Sequence, residues 1–190
     1  MSIHDILLNR NAALASIRDR HSVRTFTDQP VAEQDIVTIL HAANQAPSAH
    51  NQQSWRFVVL RGPRRADLAN LVNARAGDFP RPSAALLRMA ARSIVSAPVV
   101  IAASNTGELI QRGTELFATD CERAADFFRT MEIQSSAAAV ENLLIAATSI
   151  GLATVWLGVL FLIKDDVLQF LGEPRGEFMA VVPVGYAATQ

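Results

Sequence analysis

Apolar residues recur at helical spacing from the start of the chain. Ile3, Ile6, Leu7, Leu14 and Ile17 predict a first helix that ends near Arg20 and His21. Pro30 precedes a second, with Ile36, Ile39, Leu40 and Ala43 on one face. Residues 46–51 (Ala-Pro-Ser-Ala-His-Asn) have the chemistry of a loop, and Trp55–Leu60 reads as a strand. Pro63 suits the first turn of a helix reaching about Ala74, and Pro82-Ser83 opens another to about Ser93, with a loop from Gly77 to Pro82 between them. Pro98–Ala103 is a wholly apolar strand of the buried kind. Asn105–Gly113 is polar and is expected to be a mobile or covering segment, with a helix starting near Thr119-Asp120.

The strongest helix runs from Ile133 to Ile150, apolar nearly all round and therefore expected to be buried on all sides. Gly151 is its expected C-cap. Thr154–Trp156 is a third strand, Lys164–Leu171 a short helix, and Phe178–Ala187 a fourth strand. From Ala137 to Ile163 only Glu141 is charged, which is long enough to span a bilayer. Glu141-Asn142 inside the span, the breaks at Gly151 and Gly158, and the strand preference of Val155 and Trp156 favour a buried helix followed by a buried strand.

Few strands separated by helices predict an α+β, three-layer chain with helices around one small sheet. So small a sheet cannot cover a helix as apolar as 133–150, and a second copy of the chain is the economical cover, so a homodimer is expected. The 190 residues fit one domain, 1–190, without a repeat or linker. Half the residues are apolar and 18% are charged, which argues against disorder. A formal net charge of −1 gives no global field for nucleic acid. The single cysteine, Cys121, excludes an intramolecular disulfide and a multi-cysteine zinc site. Residues 2–20 carry His4, Asp5, Arg10, Arg18 and Asp19 with no apolar run, so no signal peptide is expected and the chain is assigned to the cytoplasm.

Three segments carry chemistry. In Arg20-His21-Ser22-Val23-Arg24, two guanidiniums bracket a hydroxyl, a set that matches phosphate oxygens; extended backbone would place Arg20, Ser22 and Arg24 on one side. A solvated basic turn is the alternative. In 46–55, small residues allow a flat ring to approach, while Ser48 and Asn51 offer donors and acceptors; an ordinary helix-to-strand connection is the alternative. In 150–158, a strand ending in Leu157-Gly158 exposes backbone amides to a ligand, and a plain buried strand is the alternative.

In order, these segments resemble the signatures of the nitroreductase family of FMN oxidoreductases. The first resembles its Arg-x-Ser-x-Arg/Lys phosphate motif. The second resembles its Ala-Pro-Ser-x-x-Asn-x-Gln-x-Trp loop, with Ser54 where proline is frequent. Asn142–Ala147 followed by Gly151–Gly158 is similar to the central dimer helix and its strand, and Val182–Ala187 to the last core strand. The resemblance spans residues 15–187 and implies a nitroreductase-like sandwich in an intertwined homodimer, its small sheet mixed or antiparallel.

It also implies a non-covalent FMN site. Arg20, Ser22 and Arg24 would hold the phosphate, ribityl chain and pyrimidine edge, with His21 in the same segment facing outward. Pro47, Ser48, Ala49 and Asn51 would come from the other subunit. Leu157 and Gly158 would lie beside the flavin, the Gly158 N–H donating to N5. The implied reaction is ping-pong hydride transfer from NAD(P)H through N5 to nitroaromatic, quinone or related small acceptors. No side chain is essential to the chemistry, and Arg24 is the candidate to stabilise the reduced, anionic ring. Residues 105–128 would set acceptor choice. Family members usually carry a further C-terminal arm with basic phosphate ligands. This sequence stops at Gln190, so weaker FMN retention and a sheet one strand short are expected, with Arg75, Arg81 and Arg88 as replacement cations.

Other chemistries lack an anchor. His4, His21, His41 and His50 have no metal spacing, and no nucleophile elbow, dinucleotide fingerprint or P-loop occurs. Two other readings remain at this level: a flavin-binding protein for storage or sensing with little turnover, and a flavin-free dimeric scaffold.

Overall fold

Asn11 opens the first described helix: its side-chain oxygen accepts the Leu14 N–H at 2.9 Å, capping α1 (Ala12–Asp19). Of the helix expected from Ile3, the part at Ile3, Ile6 and Leu7 lies outside the described residues, and residues 9–11 are turn and bend, so a helix begins afresh at Ala12. The computed structural model describes residues 8–117 and 121–188.

The remaining helices are α2 (Glu33–Asn44), α3 (Gly62–Arg75), α4 (Arg81–Ser96), α5 (Glu108–Phe117), α6 (Cys121–Ser149) and α7 (Lys164–Leu171). Proline occupies the first turn of both α3 and α4, where its missing N–H costs nothing. Helix α6 ends as expected. Gly151, at φ +80°, donates to the Thr148 carbonyl, and Leu152 donates to Ala147. Gly172, at φ +85°, closes α7 with the same pair of bonds, from Gly172 to Gln169 and from Glu173 to Leu168.

Among the described residues four strands form one sheet in the order β1-β2-β4-β3, antiparallel throughout: β1 (Trp55–Arg61), β2 (Val99–Asn105), β3 (Ala153–Thr154) and β4 (Glu177–Gly185). All of β2 is buried, as its uninterrupted apolar run requires. Its alternation serves two cores. Val100 and Ala102 join Leu68, Val72, Leu87 and Ile94 of α3 and α4, with Val167 and Leu171 of α7. Val99, Ile101 and Ala103 join Ile36 and Ile39 of α2 and Leu143, Leu144 and Ala147 of α6. The result is the expected α+β three-layer sandwich: α2 and α6 on one face, α3, α4 and α7 on the other.

Three expectations need correction. Asn105 ends β2, and residues 108–117 form α5 rather than a polar loop. Helix α5 packs on α6 so closely that a Cβ at Gly113 would collide with the Phe128 ring. The helix expected over 133–150 is the second half of a 29-residue helix. It is not buried on all sides within one chain: Gln134 and Glu141 are exposed, and Ala137, Ile145 and Thr148 half-buried, all along one stripe at helical spacing. No helix among the described residues is long and apolar enough to cross a membrane.

Candidate functional site

Arg20 leaves α1 with extended dihedrals (φ −61°, ψ 119°), and the segment after it runs alongside β3. Ser22 forms a parallel bridge with Thr154, and the Val23 N–H donates to the Thr154 carbonyl at 2.9 Å. Phe26 then bridges to Ala187, and the Thr27 N–H donates to Tyr186. The segment thus flanks β3 at one edge of the sheet. Val23 packs into the core below, while Ser22 and Arg24 on either side of it are exposed. Ser22 and Arg24 thus alternate with Val23, while Arg20 is half-buried towards α6.

The three polar side chains differ in commitment. The Arg20 Nε lies 3.8 Å from Glu141 of α6, a loose and exposed pair. Arg24 has no ion-pair or hydrogen-bond partner among the described residues. His21 is exposed, its Nδ1 2.8 Å from the Asp19 carbonyl oxygen, and it lines a cavity of about 210 Å³ with Val23, Thr148 and Ala153. The neighbouring Arg18 guanidinium holds the Asp19 carboxyl below its ordinary pKa.

The β3 segment reaches the same place from the other side. Pairing in β3 stops at Thr154, so the expected strand through Trp156 is shorter than anticipated. The Leu157 N–H donates to the Val181 carbonyl at 2.9 Å and the Leu157 side chain is 5% exposed in the core. Leu157 thus offers a ligand neither its N–H nor an exposed side chain, and its part is to fix the next residue. Gly158 is exposed and begins the turn Gly158–Ile163, so its N–H has no partner within that turn. A Cβ built on Gly158 would meet only the Trp156 ring, at 3.9 Å. The space beside its Cα is open.

The second segment sits elsewhere. Loop 47–53 precedes β1 at the opposite edge of the sheet, with β2 and β4 between it and β3, about 14 Å at usual strand spacing. The loop is tightly held. The Ser48 Oγ accepts the Gln53 N–H at 3.1 Å, the Ala49 N–H donates to the Ser135 Oγ of α6 at 3.2 Å, and the Trp55 Nε1 donates to the Asn44 Oδ1 at 2.9 Å. His50, Asn51 and Gln53 all have φ near +50°, a left-handed conformation unfavourable for residues with a side chain. Such strain persists where surrounding bonds enforce it, and it collects at ligand sites. Pro47 and Asn51 are exposed, while Ser48 and Ala49 are half-buried. One chain therefore unites the first and third segments and leaves the second apart.

The replacement cations are elsewhere. Arg75 is committed to Asp166 and Asp78 on the α3–α7 side of the sheet, its pKa raised above the ordinary arginine value chiefly by the hydrogen bond to Asp166. Arg81 and Arg88 lie on α4 in that same layer. None of the three is beside Arg24.

Sequence reasoning passed over a buried polar cluster that ties this loop to α5. Glu132 of α6 is fully buried, and its Oε1 accepts the Leu109 N–H at 2.8 Å, at the start of α5. Burial pushes the Glu132 carboxyl above its ordinary pKa, against the lowering effect of the Leu109 N–H and of Ser54. Asn105, also fully buried, accepts from the Ser136 hydroxyl, and the Thr106 N–H donates to the Ser54 carbonyl at 3.0 Å. The sequence signal was faint: a lone glutamate just ahead of an apolar run reads as solvent-facing until α5 covers it.

A protein of Archaeoglobus fulgidus, provisionally named NADH dehydrogenase/NAD(P)H nitroreductase, is 32% identical over 178 residues, 91% of this chain and 84% of that protein. A protein of Methanothermobacter thermautotrophicus with the same provisional name is 26% identical over 201 residues, 99% of this chain and 84% of that protein. The crystal structure of a Desulfovibrio desulfuricans protein, provisionally a nitroreductase and in complex with FMN, superposes with a TM-score of 0.70 at 28% identity, covering 95% of this chain and 88% of that one. The profile of the Nitroreductase family matches residues 17–186, and the chain belongs to that family.

Proposed function

We propose that two copies of this chain enclose FMN and act as an NAD(P)H-dependent flavin oxidoreductase on small acceptors such as nitroaromatics and quinones. The observation that carries this reading is the Ser22–Thr154 bridge, which joins the segment of the unpartnered Arg24 to the strand that leads to the exposed Gly158. Both features suit a flat, anionic cofactor, as does the family. The relative from Desulfovibrio desulfuricans was crystallised with FMN, and the archaeal relatives carry NAD(P)H nitroreductase names.

The second copy supplies what one chain lacks. Loop 47–53 and Arg20 are both tied to α6, through Ser135 and Glu141, six residues or about 9 Å of helical rise apart. Two α6 helices packed antiparallel about an axis near Ala138 would bring Pro47, Ser48, Ala49 and Asn51 of one copy to Arg20, Ser22 and Arg24 of the other. The half-exposed stripe through Ala137 and Ile145 is the surface such packing would cover.

Within this cleft the chain's residues bind and orient. Arg20, Ser22 and Arg24 supply charge-assisted and neutral hydrogen bonds to phosphate and to the polar edge of the ring. The Gly158 N–H gives an oriented donor without a side chain to obstruct stacking. Bound FMN would supply hydride acceptance and donation, chemistry that no residue here provides. The same open face would take NAD(P)H and then the acceptor in alternation. Segment 105–128, in which the Leu109 N–H is held by Glu132, would select the acceptor.

The test is the visible spectrum of freshly purified protein, followed by steady-state oxidation of NADH and NADPH with menadione or nitrobenzene. Flavin absorption with parallel double-reciprocal lines is expected. A colourless protein that takes up no added FMN overturns the cofactor assignment, and intersecting lines overturn the alternation.

A further inference from the structure

Charge is unevenly spread along the chain. Residues 61–96, which form α3 and α4, hold seven arginines against two aspartates, an excess of five positive charges in a chain of formal net charge −1. Four of these arginines have partners. Arg61 pairs with Glu33, and Arg64 donates to the Phe170 carbonyl and stacks over its ring. Arg65 donates to the Ala97 carbonyl, and Arg75 pairs with Asp166 and Asp78. Arg81, Arg88 and Arg92 have no such partner among the described residues. Separations of seven and four residues place all three on one face of α4.

Arg88 and Arg92 also line a groove of about 370 Å³ between α3 and α4. Asn70 and Asn73 of α3 form the facing wall, and Ala69, Ala91 and Val95 give it an apolar floor. Val95 is 55% exposed, an uncovered hydrophobic surface beside two unneutralised charges. Two like charges one turn apart repel each other, so the arrangement costs stability in the free chain. The groove belongs to the layer opposite α6, and a dimer built on α6 leaves it open.

We propose that this groove binds a small organic phosphate at a site separate from the reaction cleft. A single guanidinium fork satisfies a carboxylate, whereas two forks about 6 Å apart along a helix can converge on one tetrahedral dianion. The apolar floor accommodates the organic part, and the carboxamides of Asn70 and Asn73 supply donors and acceptors to its heteroatoms. The facing wall makes the site concave and of small-ligand size, whose usual range begins at about 300 Å³. An extended polyanion or an anionic bilayer would instead use the whole convex stripe, Arg81 included.

AMP serves as the probe. It is titrated calorimetrically into the purified full chain loaded with one equivalent of FMN and freed of unbound FMN, so that the flavin site is filled and no free flavin phosphate competes for the groove. One AMP per chain is expected, bound more tightly than inorganic phosphate. Arg88→Gln and Arg92→Gln should each weaken it about tenfold or more, the usual scale for a lost charge-assisted bond. Arg81→Gln should leave it unchanged. All three substitutions are at exposed positions, and matching circular-dichroism melts will establish that the variants are folded. No AMP binding at millimolar concentration overturns the proposal, as does undiminished binding by a folded Arg88→Gln/Arg92→Gln double variant. Phosphate binding equal to AMP removes the organic half. Vesicles of phosphatidylserine bound in place of AMP, with Arg81 required, assign the stripe to a membrane surface instead.

Discussion

Ser22 and Thr154 face each other in a parallel bridge, although 132 residues separate them in sequence. That bridge brings the basic turn after α1 to the strand that leads to Gly158. It fixes backbone to backbone, so the register survives changes in the exposed side chains on either side. Substitutions at Arg24 and Gly158 therefore read out ligand binding with little disturbance of the fold.

Arg24→Gln should weaken FMN retention by about 10- to 100-fold, the scale of 1.5–3 kcal/mol for a hydrogen bond to a charged group. Because Arg24 is exposed and unpartnered, stability without cofactor should change by no more than about 0.5 kcal/mol. Fluorimetric FMN titration and urea unfolding measure the two. Unchanged affinity would remove Arg24 from the site.

Gly158→Ala separates close approach from backbone freedom. The added methyl has room beside Trp156, so the cofactor-free melting temperature should stay within about 2 °C, the scale of a change near 0.5 kcal/mol. A ring lying over Gly158 would meet that methyl, and affinity should fall about tenfold, the usual scale of overpacking. Affinity equal to wild type would mean that the ring lies elsewhere.

The parts of this fold that sequence revealed are those where one residue type has one physical solution. Val99–Ala103 could only be a doubly covered strand, and Gly151 suits the left-handed end of α6. The exposure of Ser22 and Arg24 on either side of Val23 was legible because alternation in extended chain is fixed. Helix α5 was hidden because its outward residues, Gln111, Arg112 and Glu115, resemble a loop, and what buries Leu109 and Gly113 lies on α6. Asn11 reads equally as a turn or a cap, so the break before α1 was missed. The roles of Ser135 and Glu132 depend on contacts with residues 49 and 109, and no local pattern encodes them.

Ala137→Arg probes the second copy. Ala137 lies on the half-exposed stripe of α6 and outside the apolar core clusters, so a single chain tolerates the longer side chain. Two α6 helices in antiparallel contact do not. Light scattering after size exclusion should show a dimer for the wild type and a monomer for the variant, and the variant should also lose FMN. A variant that stays dimeric and yellow would rule out packing through this stripe.

Glu132 makes the fold sensitive to pH, with the sign set by burial. Its carboxyl sits above the ordinary value of 4.5 because desolvation outweighs the donors around it, the Leu109 N–H first among them. A group raised on folding contributes stability that is fully present below the unfolded value and is lost as pH rises through the folded one. Each pH unit between the two values corresponds to about 1.4 kcal/mol, or roughly 2–4 °C in a chain of this size. Glu132→Gln keeps an oxygen for the Leu109 N–H and cannot ionise. Between pH 5 and 8 the wild type should therefore lose melting temperature relative to Glu132→Gln. Because Glu132 anchors the start of α5, amide exchange at Leu109 and its neighbours should quicken over the same interval in the wild type alone. Melting curves that move in parallel for both proteins would show that the carboxyl does not titrate in this range, and α5 would then owe its placement to the packing of Gly113 on Phe128 instead.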